Sequence, residues 1–227
     1  MKIAIIGAMK EEISFLLPFL VNKQEKKINN FTFYLGTIDE KELIIVRSGV
    51  GKVMSALLVA TLINNFAFDY IINFGVAGGY IGTNIGDVIV GKTYVYGDVD
   101  VTIDDKYRYG HMPNFPFLFT ADPYLLNKTT SLEPKYGTIM TSDSFIFDNH
   151  KISALLNKYY YDLKVLAFDM ESAAFAQACH YFALPFIAIR AISDIIGCPN
   201  QQQSFIENLE FAINKGNDFL LGFLKKL

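Results

Sequence analysis

Four short segments of the chain each accompany an apolar stretch. Three of them carry carboxylates, in one case with an arginine and a serine, and the fourth consists of glycine, alanine and valine. Carboxylates in such positions can act as general acids or bases, or can orient water, when they are held beside a bound ligand. Ligands of α/β proteins bind where strands end, so the pattern predicts that these segments meet at one site. They cover residues 7–12, 75–79, 168–172 and 190–194.

Each segment also has an ordinary structural explanation when it is taken alone. Glu12 and Glu171 suit the first turn of a helix, where the positive end of the helix dipole lies. Ser193 and Asp194 are both common N-cap residues. Four such segments in one chain favour a functional site over four unrelated structural roles.

Short β-branched runs alternate with longer helical patterns, which is typical of an α/β fold. The chain contains no linker, internal repeat or low-complexity tract, so residues 1–227 are predicted to form a single domain. A turn of small residues is predicted over 75–79. Strands are predicted over 3–6, 31–35, 43–46, 70–74, 87–90, 163–168 and 186–192, and helices over 10–20, 52–66, 150–161, 170–182 and 205–224.

A glycine-rich turn over residues 49–51 imitates two cofactor motifs. Met54 replaces the third glycine of a dinucleotide fingerprint, and no acid follows the next strand to hold a ribose. A phosphate-binding loop needs Ser or Thr after Lys52, where the chain has Val53. The pattern therefore predicts a tight turn into a helix, without a cofactor. No metal site is expected either, because no metal-ligand spacing relates His111, His150 and His180.

Charge and composition disfavour several classes of protein. A net charge of −3 and scattered basic residues argue against a nucleic-acid partner or an anionic membrane surface. The apolar run over 53–68 contains two asparagines and is shorter than the roughly 20 residues that a membrane span needs. Two cysteines outside any metal or disulfide pattern, and no signal-peptide pattern, predict a cytoplasmic protein.

Residues 96–119 form a long segment rich in tyrosine, phenylalanine and proline. Loops of this length are usually functional. The segment is predicted to be a subunit interface or part of a pocket wall.

Six motifs, in this order, closely resemble the methylthioadenosine/S-adenosylhomocysteine nucleosidases of the nucleoside phosphorylase superfamily: IIGAMKEE, SGVGKV, NFGVAGG, SDSFI, DMES and RAISD. The resemblance covers essentially the whole chain. It implies a three-layer αβα domain with a central mixed β-sheet flanked by helices, and release of adenine by water without a cofactor. Phosphorylases carry a phosphate-binding pattern in the first loop, where this chain has Glu12. A carboxylate there would repel phosphate but can orient water.

The resemblance also implies roles for the polar residues. Asp194 would protonate adenine N7, which requires its pKa to rise roughly 2–3 units above the ordinary value near 3.9. Ser193 would orient that carboxyl group, and Glu12 would hold or deprotonate the attacking water with help from Arg190. Glu171 would bind the ribose hydroxyls.

The apolar residues implied by the resemblance would select the substrate, although for each the alternative is ordinary core or interface packing. Met170 would pack on the sugar, Phe145 would stack on adenine, and the Ile146 backbone would bind the adenine edge. Tyr107 matches an aromatic residue from a neighbouring subunit, which implies a homodimer. The close approach of the ligand would involve Ala77 and Gly78, and the slot for the 5′-thioalkyl group would involve Met9, Val50 and Phe205.

The chain departs from many of these relatives at two positions, with Val76 in place of serine and Asp169 in place of glutamate. Neither position is the implied acid or the implied water-orienting residue. Three alternatives stay open: a hydrolase of a futalosine-type nucleoside, a purine nucleoside phosphorylase, and a non-catalytic nucleoside-binding module.

Overall fold

The computed structural model describes residues 1–227, in which ten strands form one sheet with both parallel and antiparallel neighbours. The strand order is β2-β3-β4-β1-β5-β9-β8-β6-β10, and β7 pairs with β6. Because β10 also pairs with β5, the strands β5, β9, β8, β6 and β10 close into a ring. The strands are β1 (Lys2–Gly7), β2 (Val21–Ile28), β3 (Phe31–Ile38), β4 (Lys41–Arg47), β5 (Tyr70–Gly79), β6 (Val88–Tyr96), β7 (Phe119–Thr120), β8 (Lys135–Thr141), β9 (Val165–Asp169) and β10 (Phe186–Ile195).

Six α-helices accompany this sheet, and the predicted α/β fold with a central mixed sheet flanked by helices is confirmed. The second and fifth helices contact each other, and the sixth packs on β10 and β5. None of the helices is both long enough and apolar enough to cross a bilayer. The helices are α1 (Lys10–Ser14), α2 (Lys52–Asn65), α3 (Pro123–Lys128), α4 (Asn149–Tyr159), α5 (Ser172–Tyr181) and α6 (Gln201–Lys226).

The central strands are buried almost along their whole length. In β1 the side chains of Ile3, Ile5 and Ile6 have no exposed surface, and in β10 every residue from Phe186 to Asp194 is buried. Continuous apolar runs of this kind suit strands that are covered on both faces. The centre of the sheet is therefore a rigid platform for the residues at its strand ends.

Two of the four predicted site segments form the carboxyl ends of strands, β5 for residues 75–79 and β10 for residues 190–194. The predicted turn over 75–79 is wrong, because β5 continues to Gly79 and pairs with both β10 and β9. Small residues permit this crowding, since a Cβ at Gly79 would lie 2.3 Å from the Thr83 hydroxyl. Residues 190–194 likewise belong to β10, where the register shifts between Ile192 and Asp194.

Several helix boundaries also differ from the predicted ones. The helix predicted over 10–20 ends at Ser14, and a separate 3₁₀ turn with Pro18 at its second position follows at Leu17–Phe19. The helix predicted over 170–182 begins only at Ser172, which leaves Met170 and Glu171 on the connection after β9. The last helix begins four residues earlier than predicted, at Gln201.

Candidate active site

A cavity of about 210 Å³ opens where the four segments meet. Side chains or backbone of every segment lie on its wall. Of the fourteen residues predicted for the site, all except Arg190 and Tyr107 line this cavity. The twelve are Met9, Glu12, Val50, Ala77, Gly78, Phe145, Ile146, Met170, Glu171, Ser193, Asp194 and Phe205.

Glu12, in the first turn of α1, is buried and held entirely by backbone N–H groups. Its Oε2 accepts from the N–H of Ala8 at 2.6 Å and of Met9 at 2.9 Å, while Oε1 accepts from Val76 at 3.0 Å. A Cβ at Gly75 would lie 2.5 Å from Oε1, so only glycine lets β5 come this close. Burial raises the pKa of Glu12, against the opposing effects of the Arg190 charge and the three N–H donors. The cavity thus has a fixed, poorly solvated carboxylate at this end.

Asp194 directly follows the register shift in β10, and it is 1% exposed. Its Oδ1 accepts from the Ser193 hydroxyl at 2.8 Å, and Oδ2 accepts from the side-chain amide of Gln201 at 2.6 Å. Burial raises the pKa of Asp194, while these two hydrogen bonds act in the opposite direction. The carboxyl group therefore keeps a proton at higher pH than an exposed aspartate does, as proton donation near neutral pH requires.

Glu171 joins the cavity to the glycine-rich turn before α2. Its Oε1 accepts from the N–H of Gly51 at 2.9 Å, and Gly51 has a φ of +98°, in the region that favours glycine. Burial, followed by the negative charge of Asp169, raises the pKa of Glu171 to about 7. The turn over 49–51 therefore leads into a helix, as predicted, and also supplies a hydrogen bond to the site.

Arg190 does not line the cavity, although the resemblance places it beside Glu12 at the water. Its Nε and Nη2 lie 2.8 Å from Asp169 Oδ2, and the same guanidinium donates to the backbone and side-chain oxygens of Asn73. The reason is electrostatic: Asp169 is buried and requires a cation as its partner. The positive charge of Arg190 still acts on Glu12 through space.

Asp169 lies in the predicted segment 168–172, but the sequence pattern assigns it no role in the site. Besides Arg190, its carboxylate accepts from the Thr141 hydroxyl at 2.5 Å, and from the N–H and hydroxyl groups of Ser172. One oxygen also accepts from the Glu171 N–H at 3.3 Å. These bonds fix the start of α5 and the position of Glu171. In the sequence, the only sign of this role is that an acid follows an apolar run directly.

The apolar part of the wall contains two aromatic rings that contact each other. Phe145 and Phe205 pack edge to face with ring centroids 5.9 Å apart, and Phe145 remains 45% exposed at the mouth of the cavity. At the inner end, a Cβ at Gly78 would lie 3.3 Å from Asp194 Oδ2. The aromatic pair and the Asp194 carboxyl group therefore lie on the wall of the same cavity.

Tyr107 lies outside the cavity of its own chain. It belongs to the loop between β6 and β7, where its ring packs edge to face on His111 at 5.0 Å. Its contribution to a neighbouring subunit stays a prediction.

The fold and this cavity define the class of the protein. A family model described as the phosphorylase superfamily matches residues 2–225. The 5′-methylthioadenosine/S-adenosylhomocysteine nucleosidase of Bacillus pumilus is 39% identical over 100% of this chain and 99% of its own length. The chain belongs to the phosphorylase superfamily and, within it, to the 5′-methylthioadenosine/S-adenosylhomocysteine nucleosidase family.

Solved structures show the same relationship. The Streptococcus pneumoniae MTA/SAH nucleosidase in complex with 8-aminoadenine is 40% identical, with a TM-score of 0.92 and full coverage of both chains. The futalosine hydrolase of Helicobacter pylori is 28% identical, with a TM-score of 0.91 over 100% of this chain and 98% of its own. Both nucleoside hydrolases therefore share the scaffold that holds the cavity.

Proposed function

We propose that this protein hydrolyses the N-glycosidic bond of 5′-methylthioadenosine and S-adenosylhomocysteine, releasing adenine and the 5-thioribose product. The observation that carries the proposal is the presence of two buried carboxyl groups with raised pKa values, Glu12 and Asp194, in one largely apolar cavity. The names of two similar proteins, the Bacillus pumilus and Streptococcus pneumoniae nucleosidases, supply the substrates.

Asp194 is the general acid. Its proton passes to adenine N7, so that the electron pair of the breaking C1′–N9 bond moves into a neutral leaving group. Positive charge then spreads over C1′ and the ring oxygen of the sugar, and buried carboxylates stabilise this oxocarbenium character. Ser193 positions the acid through its 2.8 Å hydrogen bond.

Glu12 orients the attacking water and accepts its proton as the oxygen bonds to C1′. Three backbone N–H groups fix the carboxylate, so its direction does not depend on a flexible partner. The same negative charge repels phosphate, which supports hydrolysis over phosphorolysis. Arg190 acts indirectly, because its charge favours the ionised form of Glu12 that accepts a proton.

The remaining wall residues bind the two halves of the nucleoside. Glu171 accepts hydrogen bonds from the ribose hydroxyls, and Met170 packs on the sugar. The Ile146 backbone holds the adenine edge and Phe145 stacks on its face. The close approach of the ligand is made possible by Ala77 and Gly78, and the 5′-thioalkyl slot is formed by Met9, Val50 and Phe205.

We also propose that the protein is a homodimer in which Tyr107 completes the partner's 5′ slot. Apolar side chains on α2 and after α5 support this, since Val53, Leu57 and Phe182 are between 42% and 69% exposed. An apolar groove of about 510 Å³ runs between these helices. Val53→Glu should convert the dimer into a monomer in sedimentation velocity, whereas the exposed change Glu210→Gln should not. A monomeric wild type would contradict this assignment.

We place the enzyme in the cytoplasm and in methionine salvage, on the basis of its two unpaired cysteines and of methylthioadenosine as its substrate. A futalosine-type nucleoside is the second candidate, supported by the structural likeness to the Helicobacter pylori hydrolase. Hydrolysis of such a nucleoside would use the carboxyl groups of Glu12, Glu171 and Asp194 in the same way. The substrate would differ in the group that fills the 5′ slot.

The deciding experiment is adenine release from methylthioadenosine with and without phosphate. We expect release without phosphate, and its loss in Asp194→Asn but not in the exposed control Asp105→Asn. Release that requires phosphate would identify a phosphorylase. No release from methylthioadenosine, with release of the base from futalosine, would establish the second candidate. A wild type that binds adenine without any turnover would be a binding module.

A further inference from the structure

Gln201, the first residue of α6, bridges two groups that lie on the cavity wall. Its Nε2 donates to Asp194 Oδ2 at 2.6 Å and to the carbonyl oxygen of Ile146 at 2.8 Å, while its Oε1 accepts from the N–H of Gly197 at 3.0 Å. This network fixes the orientation of the amide, because the reverse orientation would set an oxygen against two acceptors. Gln201 is 5% exposed.

These two acceptors are the groups that the proposed function assigns to the edge of adenine. The exocyclic amino group of adenine carries two N–H donors, as the Gln201 amide does, and the adjacent N7 accepts a proton. The amide of Gln201 therefore satisfies the same acceptors that the purine edge would use. A buried acceptor that lacks a donor destabilises the folded protein. The Gln201 amide supplies that donor to both acceptors until the purine arrives.

The hydrogen bonds of Asp194 also show what use of Oδ2 as the acid would require. Both of its oxygens accept, from Ser193 and from Gln201, an arrangement that suits a carboxylate. The acid form must carry a proton on one oxygen and direct it to the purine. A serine hydroxyl can change from donor to acceptor, but an amide NH₂ group cannot. A proton carried on Oδ2 and directed to the purine is therefore incompatible with the amide in its present place, and Gln201 has to withdraw from that oxygen.

Little of the segment that carries Gln201 is buried. Within residues 201–211 of α6, Gln201 is the only buried residue. The preceding residue, Asn200, has a φ of +56° and makes no side-chain cap bond to the helix. Local segments with few buried contacts open at low free energy. The first turns of α6 can thus move while the buried part after Ala212 stays in place.

We propose that Gln201 is an internal competitor for the adenine edge, an inference that rests on the proposed function. Its amide holds Asp194 and the Ile146 carbonyl until a purine displaces it. The side chain thus lowers the affinity for adenine and for substrate, and keeps the acid oriented and satisfied between turnovers.

The test is the dissociation constant of adenine, measured by titration calorimetry on the full-length wild type and on Gln201→Ala. We expect adenine to bind the variant about tenfold more tightly, because the variant lacks both hydrogen bonds by which the amide competes with the purine. The KM for methylthioadenosine should fall by a similar factor, with kcat within about twofold of the wild type. Gln202→Ala, an exposed neighbour on the same turn, should change none of these values.

Unchanged or weaker adenine binding by Gln201→Ala would overturn the inference, because it would mean that the amide stays in place beside the base. Should the alanine variant not fold, Gln201→Met keeps the length of the side chain without its donor and should show the same tightening. The adenine titration is independent of turnover. A wild type that binds adenine but releases none would overturn the proposed function, while the comparison of variants would still decide the role of Gln201.

Discussion

The Asp169 carboxylate and the Arg190 guanidinium form an ion pair at 2.8 Å, and both side chains are at most 2% exposed. The pair connects the end of β9 to the middle of β10, the two strands that carry the site. Neither charge has another charged partner within salt-bridge distance. Each therefore depends on the other for its stability in the interior.

Asp169→Asn should lower the free energy of unfolding by about 3 kcal/mol, because it leaves the buried Arg190 charge without a counter-charge. Urea unfolding followed by circular dichroism measures this. The matched control is Asp162→Asn, which breaks the exposed pair with Arg108 and should have little effect. Equal small losses in both variants would contradict the structural role assigned to the buried pair.

The parts of the fold that the sequence predicts well are those in which apolar periodicity and burial agree. Strand β1 and most of β10 are continuous apolar runs, and both strands form where that pattern indicates. Strand β2 has the sequence VNKQEKKI with almost every residue exposed, so it carries no hydrophobic signal. It exists because its backbone pairs with β3, a partner that local sequence does not identify.

The site shows the same division between local and long-range information. Glu12 and Asp194 follow apolar runs that are visible in the sequence, and both line the cavity. Arg190 has similar surroundings in the sequence, yet its side chain turns away because Asp169, 21 residues distant, binds it. Gln201 was missed because its importance depends on contacts with Ile146 and Asp194, which only the folded chain brings together.

Glu12→Gln should lower kcat by about two to four orders of magnitude, the usual contribution of a positioned base. The amide keeps one acceptor oxygen, but its NH₂ group would face a backbone N–H and cannot accept a proton from water. Rapid-quench measurement of adenine release in a single turnover reports this step directly. Glu11→Gln, one position earlier and exposed, should retain wild-type turnover. Retained turnover in Glu12→Gln would exclude Glu12 as the base.

Ser193→Ala should move the alkaline limb of the kcat/KM profile to higher pH. The Ser193 hydroxyl donates to Asp194 and lowers its pKa, so removal of that donor raises the pKa and keeps the acid protonated longer. A hydrogen bond to a charged group corresponds to a shift of roughly one to two pH units. The rate below the limb should fall, because the acid is less well oriented. Ser144→Ala, which removes a hydroxyl from the wall without a bond to Asp194, should leave the limb in place.

Glu171→Gln should stabilise the protein at alkaline pH and not at acidic pH. The pKa of Glu171 rises to about 7 in the folded protein, from an ordinary value of 4.5, because of burial and the Asp169 charge. Between these two values the folded state binds more protons than the unfolded state. Stability therefore decreases as the pH rises through this window, by about 3 kcal/mol for a shift of this size.

The glutamine variant has no proton to lose and keeps an oxygen for the Gly51 N–H. We therefore expect Glu171→Gln to match the wild type near pH 5 and to be more stable by up to about 3 kcal/mol at pH 8. Urea unfolding at both pH values, with the exposed Glu210→Gln as control, measures the difference. A constant difference at both pH values would show that the Glu171 pKa is not raised by folding. A difference that depends on pH would confirm the raised pKa. If the same variant also loses affinity for the substrate, the Glu171 carboxylate binds the ribose at a cost in stability.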